Sequence, residues 1–220
     1  EKEFDGVMPL EIVIDTKRPK GALKSVTLKR IEELQETIIE IPELSKPVSI
    51  VNLVKYSKQA YYNGNPEFYE LPTKQEEAFI LSYIKNSTQK GNENMLKSYV
   101  DSTGQYARIT TFMRDIGTDK MQKIEERLQD KINHIFPKER YEVSLTGKAY
   151  VFEKGTHYLI DNLVQSLLFA IVLISLLMAY MFRSFNMIIV SLLPNILPLV
   201  MTAGLMGFLG IPIKPSTILV

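Results

Sequence analysis

The segment Asn162 to Phe182 runs for 21 residues without a charge, and nothing else in the chain limits its fold as tightly. As a helix it reaches roughly 31 Å, matching a hydrocarbon core of about 30 Å. Twelve of its residues are Leu, Ile, Val or Phe. Each contributes about −0.3 to −0.6 kcal/mol near the bilayer centre, which favours insertion. A buried helix of a water-soluble protein is the alternative, but it needs a polar face and is rarely followed by a second such run. Here a second run follows at once, from Phe185 to about Ile211, after a turn whose polar residues are Arg183, Ser184 and Asn186. The two read as an antiparallel transmembrane hairpin with helices at about 150–182 and 186–210, and a further helix opening at about 216–220.

Charge is partitioned along the same line. From Asp161 to Val220 the only charged residues are Asp161, Arg183 and Lys214, whereas the first 160 residues hold 24 Lys and Arg against 24 Asp and Glu. That neutral balance offers no electrostatic footprint for nucleic acid, which is set aside as a partner. Arg183 in so short a loop marks the turn as cytoplasmic by the positive-inside bias. Residues 1 to about 158 are then outside, with His157 and Tyr158 at headgroup level. There is no cysteine, so disulfides, thiolate metal sites and cysteine nucleophiles are excluded. Glu1 is not an initiator Met and Val220 falls inside a fresh apolar run, "STILV", so the chain reads as an excerpt of a longer polypeptide.

The second apolar run contains helix-breakers: Pro194 and Pro198, with Asn195 between them, then Gly204, Gly207 and Gly210 at three-residue spacing. Each proline withdraws an N–H from the helical ladder and frees a carbonyl where no water is present. Asn195 can satisfy such a carbonyl, and the glycines form a flat stripe that another backbone can approach. Two readings stay open. These residues either kink and pack a bundle, or form a flexing point of the kind found in interrupted transporter helices.

Ahead of the hairpin, "PLEIVIDT" alternates Leu10, Ile12 and Ile14 with Glu11 and Val13, a strand pattern. Leu28, Ile31, Leu34, Ile38 and Ile41 recur at helical spacing up to Pro42, and "PVSIV" reads as a second short strand. "QYARITTFMRD" is a third strand. A second helix follows, with Thr118 as N-cap and Met121, Ile124, Leu128, Ile132 and Ile135 on its apolar face, and "YEVSLTG" closes the set. The order predicts an α+β, ferredoxin-like (βαββαβ) domain over 1–147 and a membrane portion over 148–220. A helical insertion at about 53–104 separates the two halves; Leu53–Tyr62 and Thr73–Asn86 read as helices, the latter opened by a Thr73/Glu76 capping box. The aromatics Tyr61, Tyr62, Phe68 and Tyr69 either pack the insertion onto the sheet or meet a substrate or neighbouring subunit.

No catalytic constellation is legible. Only His134 and His157 offer imidazoles, and neither has a partner at a convincing spacing. His134 with Asp130 supplies only two candidate metal ligands on one helix, so no metal or cofactor is expected. "TGK" at 146–148 resembles the end of a phosphate loop but lacks the required glycine at 142, which is Glu. The membrane portion carries no intramembrane carboxylate, since Asp161 lies at the lip of the first span.

With those residues in view, "SLTGKAYVFEKGTHYLIDNLVQSLLFAIVLISLLMAYMFRSF" followed by "LLPNILPLVMTAGLMGFLGIPIKPSTILV" resembles the resistance-nodulation-division (RND) superfamily. Within it, the similarity is to the branch containing MmpL and Patched-like exporters. The resemblance implies an extracytoplasmic porter-type domain, transmembrane helices two and three and the start of helix four, in a bacterial inner membrane protein. It also implies a second, similar half, proton-relay acids beyond Val220, and proton-driven export of lipids or other hydrophobic or amphiphilic cargo. Implied partners are the lipid bilayer, that cargo, the remaining helices and, in some members, further copies of the chain. A membrane-anchored sensor or assembly factor, similar to sterol-sensing proteins, is the alternative; no enzyme is expected.

Overall fold

The computed structural model describes residues 6–88, 96–114, 118–182 and 185–209. It divides into two compact units, Glu1–Val151 and Phe152–Val220, with the division falling inside one long helix.

The first unit is built on strands β1 (Met8–Asp15), β2 (Tyr106–Met113) and β3 (Glu142–Thr146), in the antiparallel order β2-β1-β3. Ile12 of β1 lies opposite Ile109 of β2 and Leu145 of β3, so apolar residues meet across all three strands on one face. The expected alternation is realised: Leu10, Ile12 and Ile14 are fully buried, while Glu11, Val13 and Asp15 lie on the other face. Helix α1 (Ser25–Ile39) contributes Leu28, Ile31, Leu34 and Ile38 to the same core. Each such fully buried side chain stabilises the fold by about 1.5–3 kcal/mol.

The segment "PVSIV" is not a strand. Ile50 and Val51 instead open helix α2 (Ile50–Tyr61), because Ser49 caps it: Ser49 Oγ accepts from the Val51 N–H, and Asn52 Oδ1 accepts from the Ser49 N–H. What remains of the pairing is two isolated bridges on the outer edge of β2, Leu44 with Met113 and Val48 with Thr110. Pro47 between them has no N–H to extend the ladder.

Helix α3 (Glu77–Thr88) starts four residues later than the sequence pattern suggests. Only one arm of the anticipated capping box forms. Glu76 Oε2 accepts from the Thr73 N–H, but Thr73 Oγ1 donates to the same carboxylate oxygen instead of accepting from the helix. Helix α4 (Thr118–Ile135) includes Thr118 as its first residue and buries Met121, Ile124, Leu128, Ile132 and Ile135, as the spacing predicts.

Between β3 and the next helix stands Gly147, with φ at +96°. A Cβ there would lie 2.6 Å from the Pro9 carbonyl oxygen and 2.9 Å from the Glu11 nitrogen. The "TGK" glycine is therefore a turn residue that lets the chain pass directly against β1.

Helix α5 (Lys148–Phe182) spans 35 residues and crosses from the first unit into the second. Helix α6 (Phe185–Phe208) follows and runs through both Pro194 and Pro198. Lys148–Met181 is long and apolar enough to cross a membrane, whereas Ile196–Phe208 is a shorter apolar stretch.

Candidate functional site

The second unit presents its large apolar side chains outward: Phe169 is 69% exposed and Leu168, Leu176 and Tyr180 are also uncovered. An unbroken surface of this kind suits an apolar solvent. The polar side chains obey the same logic. Asn162 Nδ2 donates to the Tyr158 carbonyl, Ser166 Oγ to Leu163, Ser175 Oγ to Ile171 and Thr202 Oγ1 to Pro198, all at 2.7–2.9 Å and all within their own helix. Folding each donor back onto the backbone leaves it satisfied without water.

Pro194 and Pro198 stand one turn apart, so the carbonyls they deprive of an i+4 donor, those of Val190 and Pro194, are also one turn apart on one face of α6. The next carbonyl along that row, Pro198, receives the Thr202 hydroxyl at 2.7 Å. Gly204 and Gly207 continue toward the helix end on open surface, where an added methyl would meet nothing within 4 Å. Asn195 continues the helical backbone between the prolines. Gly210 and the turn residues Arg183 and Ser184 lie outside the described residues. The structure thus places the two prolines, Thr202 and two of the glycines on one helix.

Two polar clusters stand among the described residues besides these. In the first unit, Lys58 of α2 is 2% exposed, and its Nζ lies 2.9 Å from Glu76 Oε2 and 3.0 Å from Glu70 Oε1. Tyr62 donates its hydroxyl to Glu76 Oε1 at 2.8 Å. The hydrogen bond from the Thr73 backbone, followed by the bond from Lys58, lowers the Glu76 carboxyl from 4.5 to about 2. Burial by itself depresses the Lys58 ammonium, but its bonds to Glu76 and Glu70 outweigh this and hold it above its usual value. Around the cluster Tyr62 stacks on Phe68 with centroids 4.2 Å apart, and Tyr61 meets Tyr62 and Tyr83 edge-on. These aromatic partners all lie within the insertion, binding α2, the loop and α3 to one another. The carboxylates of this cluster come from a loop and a helix entrance, which periodicity cannot place.

The second cluster lies on α5. Glu153 is 4% exposed, and its Oε1 is 3.1 Å from His157 Nε2, one helical turn away. His157 therefore has the partner that the sequence reading denied it; the Glu-x-x-x-His spacing was the available signal. Among the described residues no three His, Asp or Glu side chains converge as metal ligands.

The model of the family described as the MMPL family matches residues 69–213, well over half of the chain and including β2, α4, β3, α5 and α6. No curated protein matches it.

Proposed function

Because the chain belongs to the MMPL family, whose members are membrane transporters, we propose that it is part of a proton-driven RND-type exporter of lipids or other hydrophobic or amphiphilic compounds. The observation that carries this reading is the uncovered apolar length of α5 with its polar side chains returned to their own helix, inside the matched stretch. In this reading α5 and α6 are successive spans of a multi-pass protein of the bacterial inner membrane, and residues 1 to about 158 face the periplasm. The first unit is a ferredoxin-like porter domain. The lateral order of the Leu44–Val48 bridges, β2, β1 and β3, with α1 and α4 contributing to one core, supports that assignment. Proton-carrying acids lie beyond Val220, and the prolines of α6 supply a point of flexure as cargo moves.

The deciding experiment is transport by the full-length protein in proteoliposomes with an imposed inward proton gradient. Export of a fluorescent lipid that stops when a protonophore is added is the expected result. Export indifferent to the gradient overturns proton coupling, and absence of any export with intact insertion favours a sterol-sensing-like sensor.

A further inference from the structure

Among the described residues, two of the cavities on the first unit bear on ligand binding. One, of about 290 Å³, lies between the C-terminal part of α4 and the start of β3. Lys17 and Lys138 line it with Glu142, and the Lys17 ammonium already donates to the Lys138 carbonyl at 3.3 Å, so it offers fewer cations than the second cavity. The other, of about 330 Å³, is different. Lys120, Lys123, Ile124 and Arg127 of α4 line it together with Ile41 and Glu43, which follow α1.

Lys120, Lys123 and Arg127 fall at positions i, i+3 and i+7, hence on one flank of the helix. Like charges at such spacing repel one another along a helix unless something neutralises them. Among the described residues the neutralisation is incomplete. Arg127 pairs with Glu40 at 3.1 Å, Glu43 is the one carboxylate in the lining, and Lys120 and Lys123 form no ion pair among the described residues. The wall beside these cations is apolar, because Ile41 and Ile124 are both nearly buried. Lys120, Lys123 and Arg127 are exposed, so their attraction for an anion is strengthened only where that anion rests against the two isoleucines.

We propose that this cavity is a binding site for a phosphate ester, drawn either from a soluble metabolite or from a phospholipid headgroup. Arg127 supplies a planar fork suited to two phosphate oxygens, and the two ammoniums act as compact point charges. The Arg127–Glu40 pair is exposed on both sides and therefore weak, so exchanging Glu40 for phosphate costs little. The cavity's volume is near the lower end of ligand pockets, enough for a headgroup. The site is separate from the α6 segment, and binding there is independent of whether the protein pumps.

The test is calorimetric titration of the full chain in neutral detergent with inorganic phosphate, glycerol 3-phosphate and dihexanoyl phosphatidic acid. Saturable binding of at least one is expected, with a tenfold or greater loss in the Lys120→Gln/Lys123→Gln double variant. Lys138→Gln, in the other cavity, should bind as the parent does, and the double variant should keep the parental melting temperature. Equal affinity for glycerol 3-phosphate and the phosphatidic acid assigns a soluble source, whereas tenfold preference for the acylated probe assigns a lipid headgroup. The proposal is overturned if none of the three saturates, if the double variant binds like the parent, or if dihexanoylglycerol, which lacks the phosphate, binds as well as the phosphatidic acid. Because no transport is measured, any of these failures leaves the exporter reading untouched.

Discussion

Lys58 and Glu76 form a 2.9 Å ion pair in which the lysine is 2% exposed and the carboxylate 23%. The pair joins the last turn of α2 to the entrance of α3, so the polar loop between them is anchored at both ends. Removing the carboxylate leaves a buried ammonium with only Glu70, which is 64% exposed. Glu76→Ala should therefore cost about 3 kcal/mol, measured by denaturant unfolding of the first unit. Glu70→Ala, which removes only the solvated partner, should cost less than about 1 kcal/mol. Equal costs would show that the ammonium does not depend on Glu76.

The same pair sets a pH dependence. Glu76 titrates lower in the folded chain, at about 2 against 4.5, so its contribution is complete above 4.5 and is lost as pH falls toward 2. Lys58 titrates higher when folded, so its contribution is complete below its usual value of about 10.4 and is lost only above that. Amide protection factors across residues 58–76, taken relative to the intrinsic exchange rate at each pH, should fall as pH drops from 4.5 to 2 in the parent. Glu76→Gln should show faster exchange already at neutral pH and a flatter response to acid.

Gly147→Ala should destabilise the first unit by at least about 2 kcal/mol, combining a left-handed backbone with a collision against β1. Gly207→Ala, on open helical surface, should leave insertion and stability unchanged within error. Thermal melting of the two variants side by side distinguishes the two kinds of glycine.

Leu173 lies near the middle of the apolar part of α5 and is exposed to its surroundings. Leu173→Arg should reduce membrane insertion by about 3 kcal/mol in a glycosylation-reporter assay. Unchanged insertion would mean that this position sits in water, contrary to the membrane reading.

Pro194→Ala and Pro198→Ala each restore a donor to the helical ladder and remove a residue disfavoured by about 3 kcal/mol in a helix interior. Both variants should insert normally and stiffen α6, and export by the full-length protein should fall. Parental export rates in both would leave the prolines with packing as their only role.

Local pattern by itself determined a good deal of this protein. The alternation of Leu10, Ile12 and Ile14, the helical stripes of α1 and α4 and the uncharged length of α5 each express a period or a composition that persists along one element. Tertiary structure decided what depends on residues distant in the chain or on a choice between two local bonds. "PVSIV" has strand composition, yet the Ser49–Asn52 cap made its end a helix. Lys58 could be buried only because Glu70 and Glu76 fold back over it, and Gly147 is required only because Pro9 and Glu11 pass beside it. Periodicity reports which face of an element is apolar; which distant carboxylate or carbonyl meets that face is set by chain closure, which no local spacing encodes.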